Sequence, residues 1–395
     1  MTDWLEADQV LERLGIRPQT LYAYVSRGRI EAAAHPRDPR RSLYRASDVA
    51  ALAQKKARGR RAADVAAEAI AWGEPVLASA ITTVAGGRLW YRGRDAVNLA
   101  EQGLSLENVA RLLRGGHGAA LKSSHRPEPP PADGARGRLF LALAARAGHE
   151  PPARGRAPLA LAMEAADLLE AVVDAATGPF PESGAGEGPA HARFAAAWGL
   201  DAEGADLVRR ALVLLADHEL NASTFAARVA ASTGASLSAA CLAGLAALSG
   251  PLHGGMAARV EAFVEEAERR DPKHAVSARL ARGAAMPGFG HPLYPDGDPR
   301  AAALLGAFEI SPLLADLRAA TEAATGQAPN IDFALVTLAR TLKLPPDAPF
   351  ILFATARSAG WAAHAIEQLQ TGRLIRPRAR YVGAAPDSYS PSSSS

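Results

Sequence analysis

The chain has 395 residues, 48% apolar and 22% charged, which suits a globular protein with room for two or three domains. Charge interrupts every apolar stretch: Pro158 to Gly178 contains Glu164, Asp167, Glu170 and Asp174. No window therefore reaches the ~20 apolar residues of a spanning helix. The net charge is +3, but residues 1–61 hold thirteen Lys or Arg against seven Asp or Glu, so a basic head precedes a mildly acidic body.

Alanine is abundant while β-branched and aromatic residues are sparse, which favours helix over strand. The N-terminus carries Asp3 and Glu6 and no apolar h-region, so it is not a signal peptide and the cytoplasm is the expected compartment. The head, residues 1–62, reads as helix, turn, helix, then a loop or wing, then a third helix. Leu5, Val10, Leu11 and Leu14 give the first helix an apolar face, and Gly15 stops it. Pro18 suits the first turn of the next helix, because its missing N–H is unpaired there anyway. Leu21, Tyr24 and Val25 supply the buried side of that helix, and Gly28 ends it. Arg37, Arg40, Arg41 and Arg45 crowd the following loop, Ser47-Asp48 caps the third helix, and a basic run from Lys55 to Arg61 closes the head.

Residues 63–74 read as a linker. Ala80 to Arg92, with Ile81, Thr82, Thr83 and Val84 before Gly86-Gly87 and Leu89, Trp90 and Tyr91 after, reads as a short hairpin. The rest of the body is helical, interrupted by a Pro-, Gly- and Arg-rich exposed loop from His125 to Gly137. Cys241 lies in the apolar run Ser238 to Leu248 and reads as a buried, inert thiol. The serine tail within residues 385–395 has no means of packing and is expected to be disordered.

The stretch Ala7 to Ala53 resembles the winged helix-turn-helix of the MerR and excisionase type, through LGIRPQTLYAYVSRGRI and RRSLYRASDVAAL. The resemblance implies a second helix in the major groove and basic residues on phosphates. Gln19, Thr20, Tyr22 and Arg27 are the candidates on the helix, and Arg37, Arg40, Arg41 and Arg45 those on the wing. A docking or oligomerisation unit with a basic surface fits the same residues.

In the body, three histidines stand in glycine- or acid-flanked settings: His218 in ADHELN, His253 in GPLHGG and His291 in PGFGH. Flanking glycines remove bulk and let a ligand approach the backbone. Asp332 follows Asn330-Ile331, and Arg300, Arg357 and Arg376 are spread along the last third, as a pocket for a polycarboxylate requires. A lone histidine is more often structural than catalytic. Zinc competes for three of them, but no H-E-x-x-H pair or cysteine pair supplies the local spacing of a metal site, so no metal is expected.

The motifs ADHELN, GPLHGG, MPGFGHPLYPDGDPR, PNIDF, FATARSAGWAAHAIEQ and IRPRARYVG resemble, in order and spacing, those of the citrate synthase family. ITTVAGGRLWYRGRDAVNLAE resembles that family's N-terminal hairpin and YRG segment, so the likeness spans roughly residues 75–384. It implies a mainly α fold: a large domain from 75–254 and 346–384 and a small domain from 255–345, closing over an oxo acid. By resemblance, Asp332 is the base that takes a proton from the acyl thioester, His253 stabilises the enol, and His291 polarises the ketone of oxaloacetate. His218, Arg300, Arg357 and Arg376 match the ligands of the oxo acid, the last reaching in from a partner subunit, which implies a homodimer. Met286, Pro287, Gly288, Phe289 and Gly290 match the CoA-binding loop. Acyl-CoA enters as substrate, and no cofactor is implied. The expected reaction is condensation of acetyl-CoA, or a close acyl-CoA, with oxaloacetate and water to give citrate and CoA in the tricarboxylic acid cycle.

Four positions depart from the family pattern. Leu215 stands where a second histidine is common, Met256 and Ala257 replace Ala-Asn, and residues 123–137 replace helical sequence. Pro292 and Pro295 replace basic residues that lie near the CoA phosphates in many members. Beside a condensing enzyme, the sequence is therefore compatible with a DNA-binding regulator whose body senses a metabolite, and with a structural partner of an active synthase subunit.

Overall fold

In the head, β1 (Trp4–Glu6) leads straight into α1 (Ala7–Leu14), where Glu6 and Gln9 reciprocally satisfy the first free N–H groups. β2 (Ala32–His35) and β3 (Asp38–Arg45) form an antiparallel wing, and β1 pairs with the other edge of β3. Val10, Leu14, Leu21, Ile30, Tyr44 and Val49 make a small core, with Tyr24 and Val25 packed against it. Gly15 ends α1 as the sequence indicates. Leu5 belongs to β1 and not to the face of α1. Arg40, Arg41 and Arg45 lie in β3, a strand of the wing. The helical residues 46–53 begin before Ser47, so Ser47 and Asp48 sit in the first turn, and Asp48 accepts the Glu31 N–H at 3.0 Å.

This computed structural model describes residues 4–16, 20–21, 24–25, 29–35, 38–53, 77–116, 132–178, 188–379 and 381–383. Pro18, Gly28, the basic run, the linker at 63–74 and the serine tail lie outside them. The chain divides into two compact units, Met1–Ala78 and Ser79–Ser395.

The second unit opens on β4 (Thr82–Ala85) and β5 (Arg88–Tyr91), joined by the turn Gly86-Gly87 with φ of 59° and 70°. Two successive left-handed residues make the turn whose twist matches a hairpin, which is why two glycines stand there. A third strand, β6 (Arg94–Asp95), pairs with β5 and was not expected. Helices follow: α2 (Ala96–Glu101), α3 (Leu106–Leu113), α4 (Gly134–His149), α5 (Pro158–Thr177), α6 (Ala190–Trp198), α7 (Ala202–Leu215), α8 (Ala222–Ser232) and α9 (Leu237–Leu248). Then come α10 (Met256–Arg269), α11 (Pro272–Ala281), α12 (Pro299–Leu305), α13 (Pro312–Thr325), α14 (Ile331–Thr341) and α15 (Ala348–Thr371). The end of the expected 125–137 loop, from Gly134, is the first turn of α4.

α15 is buried on all sides through most of its length, as its run of Ala, Phe, Ile and Leu requires. It packs against α5, α7, α8 and α9, while α10, α11, α13 and α14 pack on one another, and α14 also meets α15. Cys241 is buried in α9, and burial pushes its thiol pKa far up, which makes it inert. Among the described residues no helix is long and apolar enough to cross a membrane.

Candidate active site

The turn between α7 and α8 carries His218. Its backbone is held from the hairpin side: the Tyr91 hydroxyl lies 3.1 Å from Val213 O in the last turn of α7 and 3.2 Å from Asp217 O in this turn. Glu219, held at φ 51°, accepts the Val84 N–H on Oε1 at 2.5 Å. From the other side, Arg228 donates to His364 Nδ1 at 2.9 Å, and His364 Nε2 lies 3.1 Å from Asp217 Oδ2. A guanidinium only donates, so Nδ1 accepts and the imidazole proton sits on Nε2, directed at Asp217. Asn221 caps α8, accepting the N–H groups of Ser223 and Thr224 at 3.1 Å each.

His253 sits in the turn after α9, with Nε2 2.8 Å from Ser223 Oγ. Trp361 Nε1 of α15 donates to the same Oγ at 3.1 Å, and the Phe353 ring meets the imidazole edge-on, centroids 5.9 Å apart. The glycines of this turn serve its own packing more than ligand approach. A Cβ on Gly254 would lie 2.7 Å from Leu248 Cγ, and one on Gly255 2.8 Å from Gly250 O.

The segment 286–300 binds to the start of α14. Gly290 N–H donates to Ala328 O, Asn330 N–H donates to Gly288 O, both at 2.8 Å, and Asn330 Nδ2 donates to Gly290 O at 3.0 Å. Gly288 has φ 81°, and a Cβ there would lie 2.9 Å from both Phe333 Cβ and Val260 Cγ2, so only glycine fits. Met286, Pro287, Gly288 and Phe289 are buried and Gly290 is half-buried. Asn330 caps α14 and places Asp332 in its first turn.

Charge is distributed unevenly around these histidines. Arg300 is buried and grips Asp298 bidentately, Nε to Oδ1 at 2.9 Å and Nη2 to Oδ2 at 2.7 Å. Arg357, also buried, donates Nε to Leu215 O at 2.9 Å, lies 4.8 Å over the Phe353 ring, and makes no ion pair among the described residues. Burial, with Arg300 nearby, lowers its pKa to about 10. Asp332 Oδ1 is buried without a hydrogen-bond partner among the described residues, and burial, abetted by Asp298, pushes the carboxyl up to about 7 against the pull of Arg300 and Arg357. Burial lowers His253 and His291 to about 4, helped by Arg357 and Arg300 respectively. His218 is lowered well below the usual histidine range by burial, Arg300 and Arg357. The rings of His218 and His291 stand 5.2 Å apart.

The structure thus brings together His218, His253, His291, Arg300, Arg357 and Asp332. Arg376 is apart from them, in an exposed coil after α15. Sequence reading missed Tyr91, Ser223, Tyr294, Asp298, Trp361 and His364; all but Ser223 stand within quoted motifs, so a polar or aromatic residue sharing a motif with a candidate was the available signal. Of the head candidates, Thr20 is helical and half-buried. Arg41 is ion-paired with Glu6, and Arg45 with Glu31 at 2.6 Å while lying 5.7 Å over Trp4. Gln19, Tyr22, Arg27, Arg37 and the Arg40 side chain lie outside the described residues.

The chain is similar to known proteins. The family described as citrate synthase, C-terminal domain, matches residues 141–378, and a helix-turn-helix domain family matches residues 4–57. The chain is 34% identical over 334 residues to putative citrate synthase 2 of Mycobacterium tuberculosis, covering 77% of this chain and 89% of that one. It is 35% identical over 186 residues to the 2-methylcitrate synthase of Shewanella oneidensis, covering 44% and 50%. Its fold is similar to citrate synthase of Thermoplasma acidophilum, solved with carboxymethyl coenzyme A and oxaloacetate, at TM-score 0.64, 26% identity, and coverage of 80% and 96%. The chain belongs to the citrate synthase family and is an acyltransferase by reaction class.

Proposed function

We propose that the chain condenses an acyl-CoA with oxaloacetate and water, releasing CoA and citrate or a close homologue. The observation that carries this reading is Asp332, whose buried Oδ1 has no hydrogen-bond partner among the described residues, poised near pH 7 among neutral histidines and a buried guanidinium, Arg357, that makes no direct ion pair among them. A base must be ionised near the working pH yet basic enough to take a proton from carbon, and a pKa of about 7 meets both demands.

Asp332 removes the α-proton of the thioester. His253 donates to the thioester oxygen as the enolate forms, acting as a neutral imidazole. Ser223 Oγ donates to Asn221 Oδ1 at 2.7 Å and stands 2.8 Å from His253 Nε2, which holds the imidazole ring in place. His291 polarises the ketone of the oxo acid. His218, Arg300 and Arg357 hold its carboxylates, and Arg376 of a second copy completes the pocket in a homodimer. The backbone of Met286, Pro287, Gly288, Phe289 and Gly290 carries the CoA side, and the 255–345 lobe closes on the 75–254 and 346–384 body to keep water out until the carbon–carbon bond has formed.

The test is release of free thiol from acetyl-CoA plus oxaloacetate, with propionyl-CoA alongside and Asp332→Asn as control. Release that needs oxaloacetate and vanishes in the variant supports the reading and ranks the acyl donors. Its absence from a folded protein overturns it for these substrates.

The helix-turn-helix match on residues 4–57 favours a second role, DNA binding by the head. Arg41 and Arg45 would have to exchange Glu6 and Glu31 for phosphates. Binding to a duplex that falls steeply with salt supports this role.

A further inference from the structure

Tyr294, between His291 and Arg300, has no part in the reaction as proposed. Its ring is 2% exposed and packs against both histidines, with centroids 5.0 Å from His291 and 5.6 Å from His218. The Arg300 guanidinium lies 5.4 Å from the ring centroid. Among the described residues the hydroxyl makes one hydrogen bond, to His218 Nε2 at 2.9 Å.

A buried phenol places its proton on an acceptor. Among the described residues no other acceptor lies within hydrogen-bonding distance of it. Arg300 and Arg357 only donate, Asp298 is taken up by Arg300 and the Ile331 N–H, and Glu219 Oε1 accepts from Val84. The opposite arrangement, with His218 donating from Nε2 to the phenol oxygen, leaves the phenol proton without an acceptor among those residues. Burial also raises the phenol pKa, so the proton stays on the molecule throughout the neutral range. Nε2 therefore accepts. A neutral imidazole that accepts at Nε2 carries its proton on Nδ1, and His218 Nδ1 makes no hydrogen bond among the described residues.

We propose that Tyr294 is a positioning residue that fixes His218 as the Nδ1–H tautomer, so that a single, predetermined N–H meets the oxo acid. This rests on His218 contacting the oxo acid as proposed above. Free neutral histidine in water favours the other tautomer, so the phenol is what selects this one. An unselected ring would present a lone pair to a carboxylate for much of the time, and repel it.

The test uses the full chain labelled with ¹⁵N-histidine, the substitution Tyr294→Phe, and calorimetric titration with oxaloacetate, which needs no turnover. Phe keeps the ring packing and removes only the hydroxyl. His218→Asn serves to assign the resonance. The expected wild-type spectrum at neutral pH shows His218 with a bare Nε2 and a protonated Nδ1. In Tyr294→Phe that pattern is lost, and oxaloacetate binds about tenfold more weakly, the cost of one hydrogen bond. A purely structural role would lower the melting temperature without moving the tautomer. A wild-type His218 protonated at Nε2, or a pattern unchanged in Tyr294→Phe, overturns the proposal. If the tautomer switches but the wild type takes up no oxaloacetate, the oxo-acid reading of the site falls while the tautomer assignment stands.

Discussion

Arg300 and Arg357 are both buried guanidinia in one site, yet they are built on opposite plans. Arg300 arrives with its own counterion two residues away, and its bidentate grip on Asp298 raises its pKa although burial alone would lower it. Arg357 comes from the middle of α15 with a carbonyl and an aromatic face for company, and its pKa falls. A neutralised pair is self-sufficient and holds the 298–300 turn in place. A buried cation with no direct ion pair, and only the more distant Asp217 to offset it, costs folding energy and is useful to something that brings an anion. Asp332 is the mirror case, a half-buried carboxylate whose Oδ1 is buried without a hydrogen-bond partner among the described residues. The first arrangement suits stability and the second suits binding.

Three substitutions test that contrast directly. The largest effect is expected from Asp332→Asn, with kcat falling by about 10³-fold or more, read as thiol release under saturating substrates. The same acid sets the pH dependence. Its pKa is raised to about 7 and the base acts ionised, so activity climbs as pH rises through that value. For stability the sign reverses. A carboxyl with a raised folded pKa stabilises fully below its unfolded value and loses that contribution as pH rises through about 7. Asp332→Asn is therefore expected to melt higher than the wild type above pH 7. Next, Arg300→Met strands Asp298 and should cost about 3–5 kcal/mol in a denaturant melt. Arg357→Met should cost far less stability, or none, while abolishing measurable oxaloacetate binding by calorimetry. Equal losses of stability in the two variants would break the comparison.

Gly360→Ala sharpens it from the side of the turn. A Cβ at this position would lie 2.3 Å from Asp217 Oδ1 and 2.6 Å from Ala216 O. α15 and the 216–219 turn must move apart, at a cost of about 1–3 kcal/mol in the same melt. Because the His218 turn moves with it, oxaloacetate affinity should fall as well. The smallest effect is expected in the head. Glu31→Gln removes the partner of an Arg45 side chain that is 45% exposed, so the melt should move by less than about 1 kcal/mol.

Much of this was legible in the chain. Alanine-rich runs, Gly86-Gly87, the capping Asn330 and the buried run of α15 state their local structure, because helix propensity, turn geometry and capping depend on neighbours in sequence. The ordered motifs were enough to name His218, His253, His291, Arg300, Arg357 and Asp332. The ion pair of Arg41 was not legible, because the sequence does not show that Trp4–Glu6 would pair with β3 and bring Glu6 beside its arginines.

The sequence by itself determined which residues are the candidates for the chemistry and that the body around them is helical. Only the tertiary structure decided their electrical state. Whether Arg357 has a counterion, whether Asp332 titrates near 7, and which nitrogen of His218 or His364 holds the proton depend on partners such as Tyr294, 76 residues from His218, and Arg228, 136 from His364. Hydrogen bonds and desolvation act over a few ångströms of space and take no account of distance along the chain.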